Sequence, residues 1–294
     1  MSNIPPPPDF IIIGAMKCGT STLYEQLAAQ PGFFMTTPKE PNFFSDDDIF
    51  SRGMSWYNAL FESAAAGDVK GEASTHYTKL STHPHAAERL HEALPDVKLI
   101  YLMRHPVDRL VSHYIHEWTM GAVTNEIDDV ANAGSAFVDY GLYSRQLTPY
   151  LERYGSNNIL PMFLERMNEA PGEELARAAS FLEYERPVRW CDDLGPQNVS
   201  KDRIRRFPLY DLLVESAPAT ALRRAVAPRA LRDFIKGKLQ MRDRPTLSSD
   251  AQQRVERIFN EDLLQLGDML GVKLTCANFK EAVRGRSLDW PLRT

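Results

Sequence analysis

The side chains best suited to chemistry fall in three short segments. The first is Gly14-Ala15-Met16-Lys17-Cys18-Gly19-Thr20-Ser21-Thr22, between a β-branched apolar run and a helical pattern. Strand, glycine-bearing loop and helix N-terminus together turn backbone N–H groups and a helix dipole toward one point, an arrangement that binds phosphate-like anions. The two glycines keep the spacing of the nucleotide loop G-x-x-x-x-G-K-[ST], but Thr20 follows the second glycine and the lysine lies inside, at Lys17. No Lys-Ser/Thr pair is left to hold β- and γ-phosphates with magnesium, which disfavours an ATPase or GTPase. Cys18 at a helix start also raises the alternative of a thiol nucleophile with a depressed pKa, though no histidine accompanies it in the motif. The second segment is Lys39-Glu40-Pro41-Asn42-Phe43-Phe44. Its two aromatics predict a shielded Glu40 with a raised pKa, fit for a general base, with Lys39 solvated or facing substrate. The third joins Arg104, at the end of an apolar run, to Ser112 two helical turns later: a bidentate cation and a neutral donor, suited to a second phosphate. The plain structural alternatives are an ordinary βα turn, an exposed loop glutamate and a capping or surface arginine. Arg109 reads as an outward-facing salt-bridge residue.

These segments need a scaffold that brings them together. Short apolar runs at Asp9–Ile13, Val69–Ala73, Val97–Met103 and Ile159–Phe163 predict buried strands. Helical patterns lie between them: Ser21–Gln30 up to Pro31-Gly32, a helix opened by His105-Pro106, and one through Leu175, Ala179 and Leu182. A further helix after Ser248 carries Val255, Phe259, Leu263, Leu266 and Leu270 and stops at Gly271. Strands alternating with helices predict a doubly wound α/β fold with a mostly parallel sheet. Ligands of such sheets sit at the carboxyl ends of the strands, where Lys17 and Arg104 both fall.

Composition narrows the class. The chain has 294 residues, 43% hydrophobic and 25% charged, with a net charge of −5, too mild to imply a nucleic-acid partner. Residues 1–8 are Pro-rich and read as a disordered or polyproline arm; residues 9–294 read as one domain. No apolar stretch near the start approaches the ~20 residues of a membrane helix, and no basic leader precedes it, so a cytoplasmic protein is expected. Three scattered cysteines support neither a disulfide framework nor a zinc site. Residues 201–244 hold twelve Lys/Arg against five acids, a net of +7. They read either as a solvated helical hairpin or as a basic flap over an anionic ligand.

Taken together, the three segments resemble those of sulfotransferases that use 3′-phosphoadenosine 5′-phosphosulfate (PAPS), in the heparan-sulfate and bacterial branch. Pro8-Asp9-Phe10-Ile11-Ile12-Ile13-Gly14-Ala15-Met16-Lys17-Cys18-Gly19-Thr20-Ser21-Thr22 resembles the 5′-phosphosulfate loop, and Tyr101-Leu102-Met103-Arg104-His105-Pro106 through Tyr114 resembles the 3′-phosphate segment. The resemblance implies a P-loop-like fold and PAPS as co-substrate, without a metal. It places Lys17 at the leaving phosphate, and Cys18, Gly19, Thr20, Ser21 and Thr22 around the 5′-phosphate. Arg104 and Ser112 fall at the 3′-phosphate, and Glu40 as the base that takes the proton of an acceptor hydroxyl. Asn198-Val199-Ser200-Lys201-Asp202-Arg203 resembles a late loop that closes on the 3′-phosphate, which makes Lys201 and Arg203 ligands and the stretch 203–245 a basic helical insert. One departure stands out: Gly71-Glu72-Ala73-Ser74-Thr75-His76-Tyr77 has Ala73 where animal heparan enzymes carry a second lysine. His76, near the place of the histidine base of the cytosolic branch, is the runner-up base. Tyr143 either lines the cleft or packs in the core. The acceptor stays open between a carbohydrate, a lipid headgroup and a small metabolite. A kinase-like phosphotransferase and a non-catalytic nucleotide-binding module remain as alternatives.

Overall fold

The computed structural model describes residues 7–194 and 243–291. Lys201, Arg203, most of the Pro-rich arm and nearly all of the basic insert lie outside those residues.

Five strands form one sheet: β1 (Phe10–Gly14), β2 (Phe33–Met35), β3 (Val69–Ala73), β4 (Lys98–Met103) and β5 (Ile159–Phe163). Their order is β2-β3-β1-β4-β5 and every pairing is parallel. A parallel strand covered on both faces must be apolar throughout, and β1 and β5 are buried along their whole length. The doubly wound α/β architecture expected from the sequence is the one observed. Edge strand β2 went unpredicted because three residues, Phe33-Phe34-Met35, are too few to show a period.

The chain leaves β1, crosses to β2 at the edge, returns to β3 beside β1, and then places β4 on the other side of β1. The winding direction therefore reverses at β1, and a ligand crevice opens at its carboxyl end. The pairings Ile12↔Ala73 and Gly14↔Tyr101 bring three segments to that one edge: the loop after β1, the chain after β3, and Arg104 just beyond β4.

The helices begin and end where capping chemistry allows. Helix Pro106–Met120 opens with proline, whose missing N–H costs nothing in a first turn. In helix Ser249–Leu270 the Ser248 hydroxyl accepts from Ala251 N–H, and the helix stops at Gly271, φ 65°. Helix Tyr143–Tyr154 has no side-chain cap of its own. Its cap comes from the long C-terminal helix: Asp262 accepts from the N–H groups of Ser144 and Arg145, both at 3.1 Å, and from Ser144 Oγ at 2.5 Å. No helix among the described residues is long and apolar enough to cross a membrane.

Removing that cap should be costly. Asp262→Ala leaves buried amide donors unsatisfied and should lower unfolding free energy by about 1–3 kcal/mol in urea titrations. Asp262→Asn, which keeps one acceptor oxygen, should lose less.

Candidate active site

The loop after β1 is built for close backbone approach. Lys17 has φ 68° and Gly19 φ 93°. Helix Thr20–Ala28 starts with no side-chain cap, so the first N–H groups, those of Thr20, Ser21 and Thr22, are left to a ligand. Cys18 differs from expectation. Its N–H closes a turn onto Ala15 O at 3.2 Å rather than facing outward. Its thiol is fully buried beside Tyr143 Oη at 3.6 Å. Burial pushes the thiol up to about 11, against smaller opposing effects of Tyr143, Arg109 and Arg104. The nucleophile alternative for Cys18 is thereby corrected: helix-end position matters less than lost solvation.

Arg104 stands across from this loop, its Nη1 donating to Lys17 O at 3.4 Å. Tyr143 packs in the core, one of its two expected places, and does more there. Its hydroxyl donates to Arg104 O at 2.6 Å and accepts from Arg104 N–H at 3.3 Å, while also meeting Cys18 Sγ. One buried phenol thus braces the loop after β1 against the end of β4. Ser112 lies on the next helix at 8% exposure. Arg109 corrects its expectation outright: it is 0% exposed and donates through Nη2 to Phe137 O. Burial lowers its pKa. The helix carrying it is buried from Arg109 through Ile115, so it has no outer face at that turn.

Glu40 emerges beside the loop because its N–H bonds Ala73 O, at the end of β3, at 3.0 Å. Its carboxylate accepts from Lys39 Nζ at 2.8 Å and from Thr75 Oγ1 at 3.3 Å. The expected rise in its pKa is reversed. Burial pushes it up, but the Lys39 ammonium, with His76 and Lys79, holds it below the ordinary carboxylate range. Phe43 and Phe44, expected to shield it, sink wholly into the core against Tyr57, with centroids 4.8 and 5.1 Å away. Lys39 is a partner of Glu40, not a solvated charge.

His76 joins the same cluster, stacked on His83 with centroids 4.8 Å apart. Burial, then Lys79 and His83, lower it to about 4, so it is a neutral imidazole near pH 7. Lys79 escaped the sequence reading. It is only 8% exposed, sits 5.4 Å from the centre of the Tyr140 ring, and is drawn down to about 8 by burial. Ala73 supplies no lysine, yet Lys79 brings an ammonium into electrostatic reach of Glu40 from six residues further on. Only its position after the 3₁₀ turn Thr75–Thr78, which follows β3, could have signalled it. No group of three or more His, Cys, Asp or Glu arranged to hold a metal occurs among the described residues.

Comparison with known proteins fixes the family. The sulfotransferase domain matches residues 7–217, most of the chain. The chain belongs to the sulfotransferase domain family. Among relatives, human heparan sulfate glucosamine 3-O-sulfotransferase 6 is 30% identical over 190 residues, 62% of this chain and 54% of that one. Mouse bifunctional heparan sulfate N-deacetylase/N-sulfotransferase 2 is 28% identical over 241 residues, covering 70% of this chain and 27% of that one. The chain spans about half the length of the 3-O-sulfotransferases it matches. A sulfotransferase from Alicyclobacillus acidocaldarius shares the fold at 21% identity, with TM-score 0.65 over 92% of this chain and 98% of that one.

The three cysteines offer a direct check. Cys18 and Cys276 are buried with thiols raised to about 11 and about 12, whereas Cys191 is partly exposed. Brief iodoacetamide treatment of the native protein at pH 7.5 should alkylate Cys191 and spare the other two, as read by peptide mass spectrometry.

Proposed function

We propose that this sulfotransferase moves the sulfuryl group of PAPS to a hydroxyl of an acceptor. The observation that carries the reading is the juxtaposition at the carboxyl ends of β1, β3 and β4. An uncapped helix N-terminus with Lys17 faces Arg104 on one side and has Glu40, on the end of β3, on the other. The donor set fits a bisphosphorylated nucleotide. Thr20, Ser21 and Thr22 offer N–H and hydroxyl groups to the 5′-phosphate, and Arg104 with Ser112 suits a second phosphate.

PAPS supplies an already activated sulfuryl group, so the protein's task is to hold, orient and move charge. Lys17 stabilises the negative charge that grows on the departing phosphate. Glu40 takes the acceptor's proton as its oxygen bonds to sulfur. A bound polyanion raises the proton affinity of nearby groups, which offsets the pull of Lys39 on Glu40. His76 is the second reading for the base, supported by its neutral state and its place in the same cluster. The hydroxyl acceptor is taken from the likeness to heparan sulfate glucosamine 3-O-sulfotransferase 6; an amine acceptor would give its proton to the same base. Carbohydrate, lipid headgroup and small-metabolite acceptors can all offer a hydroxyl.

The test is a screen of hydroxylated acceptors with ³⁵S-labelled PAPS, with release of 3′-phosphoadenosine 5′-phosphate (PAP) as the rate signal. Glu40→Gln should cut turnover by about 10²–10⁴-fold while leaving PAP affinity nearly unchanged. His76→Ala abolishing turnover while Glu40→Gln keeps it would transfer the role to His76. Donor recognition is tested separately by melting shifts. PAP at a hundredfold excess over its Kd should stabilise the protein by about 2.7 kcal/mol. AMP should do so much less, and Arg104→Ala should erase most of that difference. Equal shifts for PAP and AMP in the parent protein would refute the assignment of Arg104 to the 3′-phosphate.

A further inference from the structure

Glu72, the fourth residue of β3, has no exposure and takes no part in the reaction above. Its partners are all hydroxyls: Tyr57 Oη donates to Oε1 at 3.0 Å, Tyr77 Oη to Oε1 at 2.8 Å, and Ser74 Oγ to Oε2 at 2.7 Å. A buried carboxyl is expensive unless such bonds satisfy it, and an apolar residue would fill a strand more cheaply.

The network leads to the base. Ser74 Oγ also accepts from Asn42 N–H at 3.1 Å. Asn42 and Glu40 both lie in the left-handed backbone region, φ 53° and 61°, on either side of Pro41. Residues with a Cβ stay there only when the surroundings over-determine them. The two tyrosines that bond Glu72 also hold Phe43 and Phe44 from below: Phe43 stacks on Tyr57, and Phe44 meets Tyr57 and Tyr77 edge-on, with centroids 5.1 and 5.7 Å away. The 40–44 segment is thus fixed through Ser74 and through the aromatic floor, and Glu72 is the group common to both.

We propose that Glu72 is a positioning residue, holding the 40–42 loop in the shape that aims Glu40 at the acceptor, through Ser74 and the hydroxyls of Tyr57 and Tyr77. The proposal rests on the reading of Glu40 as base. Glu72 also stands in electrostatic reach of Glu40, whose carboxylate opposes ionisation of Glu72. Burial raises Glu72 to about 7, the three hydroxyls pull it back, and Glu40 adds to the rise. Lys39, His76 and Lys79 face Glu40 with the opposite effect.

The experiment compares Glu72→Gln, Ser74→Ala, Ser74→Thr and Glu40→Gln in the full chain. PAP affinity is measured by calorimetry, and PAP release from PAPS is followed with the acceptor found above, or with water if none is found. Glu72→Gln and Ser74→Ala should bind PAP within about twofold of the parent and keep its KM for PAPS, while kcat falls about 10- to 10²-fold. Ser74→Thr, which keeps the hydroxyl, should restore kcat. The acid limb of the kcat–pH profile should stay in place in both variants, because Glu72, raised to about 7, carries no charge where Glu40 titrates. An unchanged KM with a lowered kcat that Ser74→Thr restores is the split a merely structural loss would not produce. If Glu72→Gln fails to fold, Ser74→Ala against Ser74→Thr decides. Parental kcat in Ser74→Ala overturns the proposal while leaving the base assignment intact. Parental turnover in Glu40→Gln overturns the base assignment, and the positioning role falls with it.

Discussion

Everything at the functional edge depends on a missing side chain at Gly14. A Cβ there would stand 2.0 Å from Thr78 Oγ1 and 3.0 Å from the Tyr101 ring. Thr78 itself donates to Ile13 O at 2.9 Å, so the turn after β3 is fastened directly to the last residues of β1. Three segments distant in sequence converge on one glycine: the phosphate loop, the turn carrying His76 and Lys79, and β4 leading to Arg104. Any larger residue would push the turn after β3 away from the loop after β1, and the proposed group transfer depends on their separation.

Around that junction neutral hydroxyls tie the segments together. Tyr143 braces Arg104 to Cys18, Tyr57 and Tyr77 hold Glu72, and Thr78 ties the 3₁₀ turn to β1. A hydroxyl orients its partner without adding a formal charge; Glu40 differs, since its carboxylate is paired with Lys39 at 2.8 Å. The buried Arg109 is an exception, a cation with unpaired Nε and Nη1 atoms among the described residues.

How much of this the sequence disclosed follows from what each residue interacts with. Strands β1, β4 and β5 were legible because burial on both faces demands apolar runs, and helix starts were legible from Pro106 and Ser248. Lys17, Glu40 and Arg104 stood out because their neighbours in sequence define their setting. Errors came where the setting is made by distant chain. Glu40's proton affinity is ruled by Lys39 beside it but also by His76 and Lys79, which only the sheet brings near. Arg109 was misjudged because local spacing cannot tell that both faces of its helix are covered. Tyr143 and Lys79 lay in no motif, since one acts through its hydroxyl on a segment 39 residues away and the other sits on an irregular turn.

The cap that Asp262 places on helix Tyr143–Tyr154 has a consequence for synthesis. All five strands precede residue 164, so the sheet and its anion loop can assemble while the chain is still emerging from the ribosome. The helix that presents Tyr143 stays uncapped until more than a hundred further residues have been made. A nascent or truncated chain therefore owns a formed sheet with a loosely braced Arg104. Full bracing of Arg104 is a late event, tied to docking of the C-terminal helix.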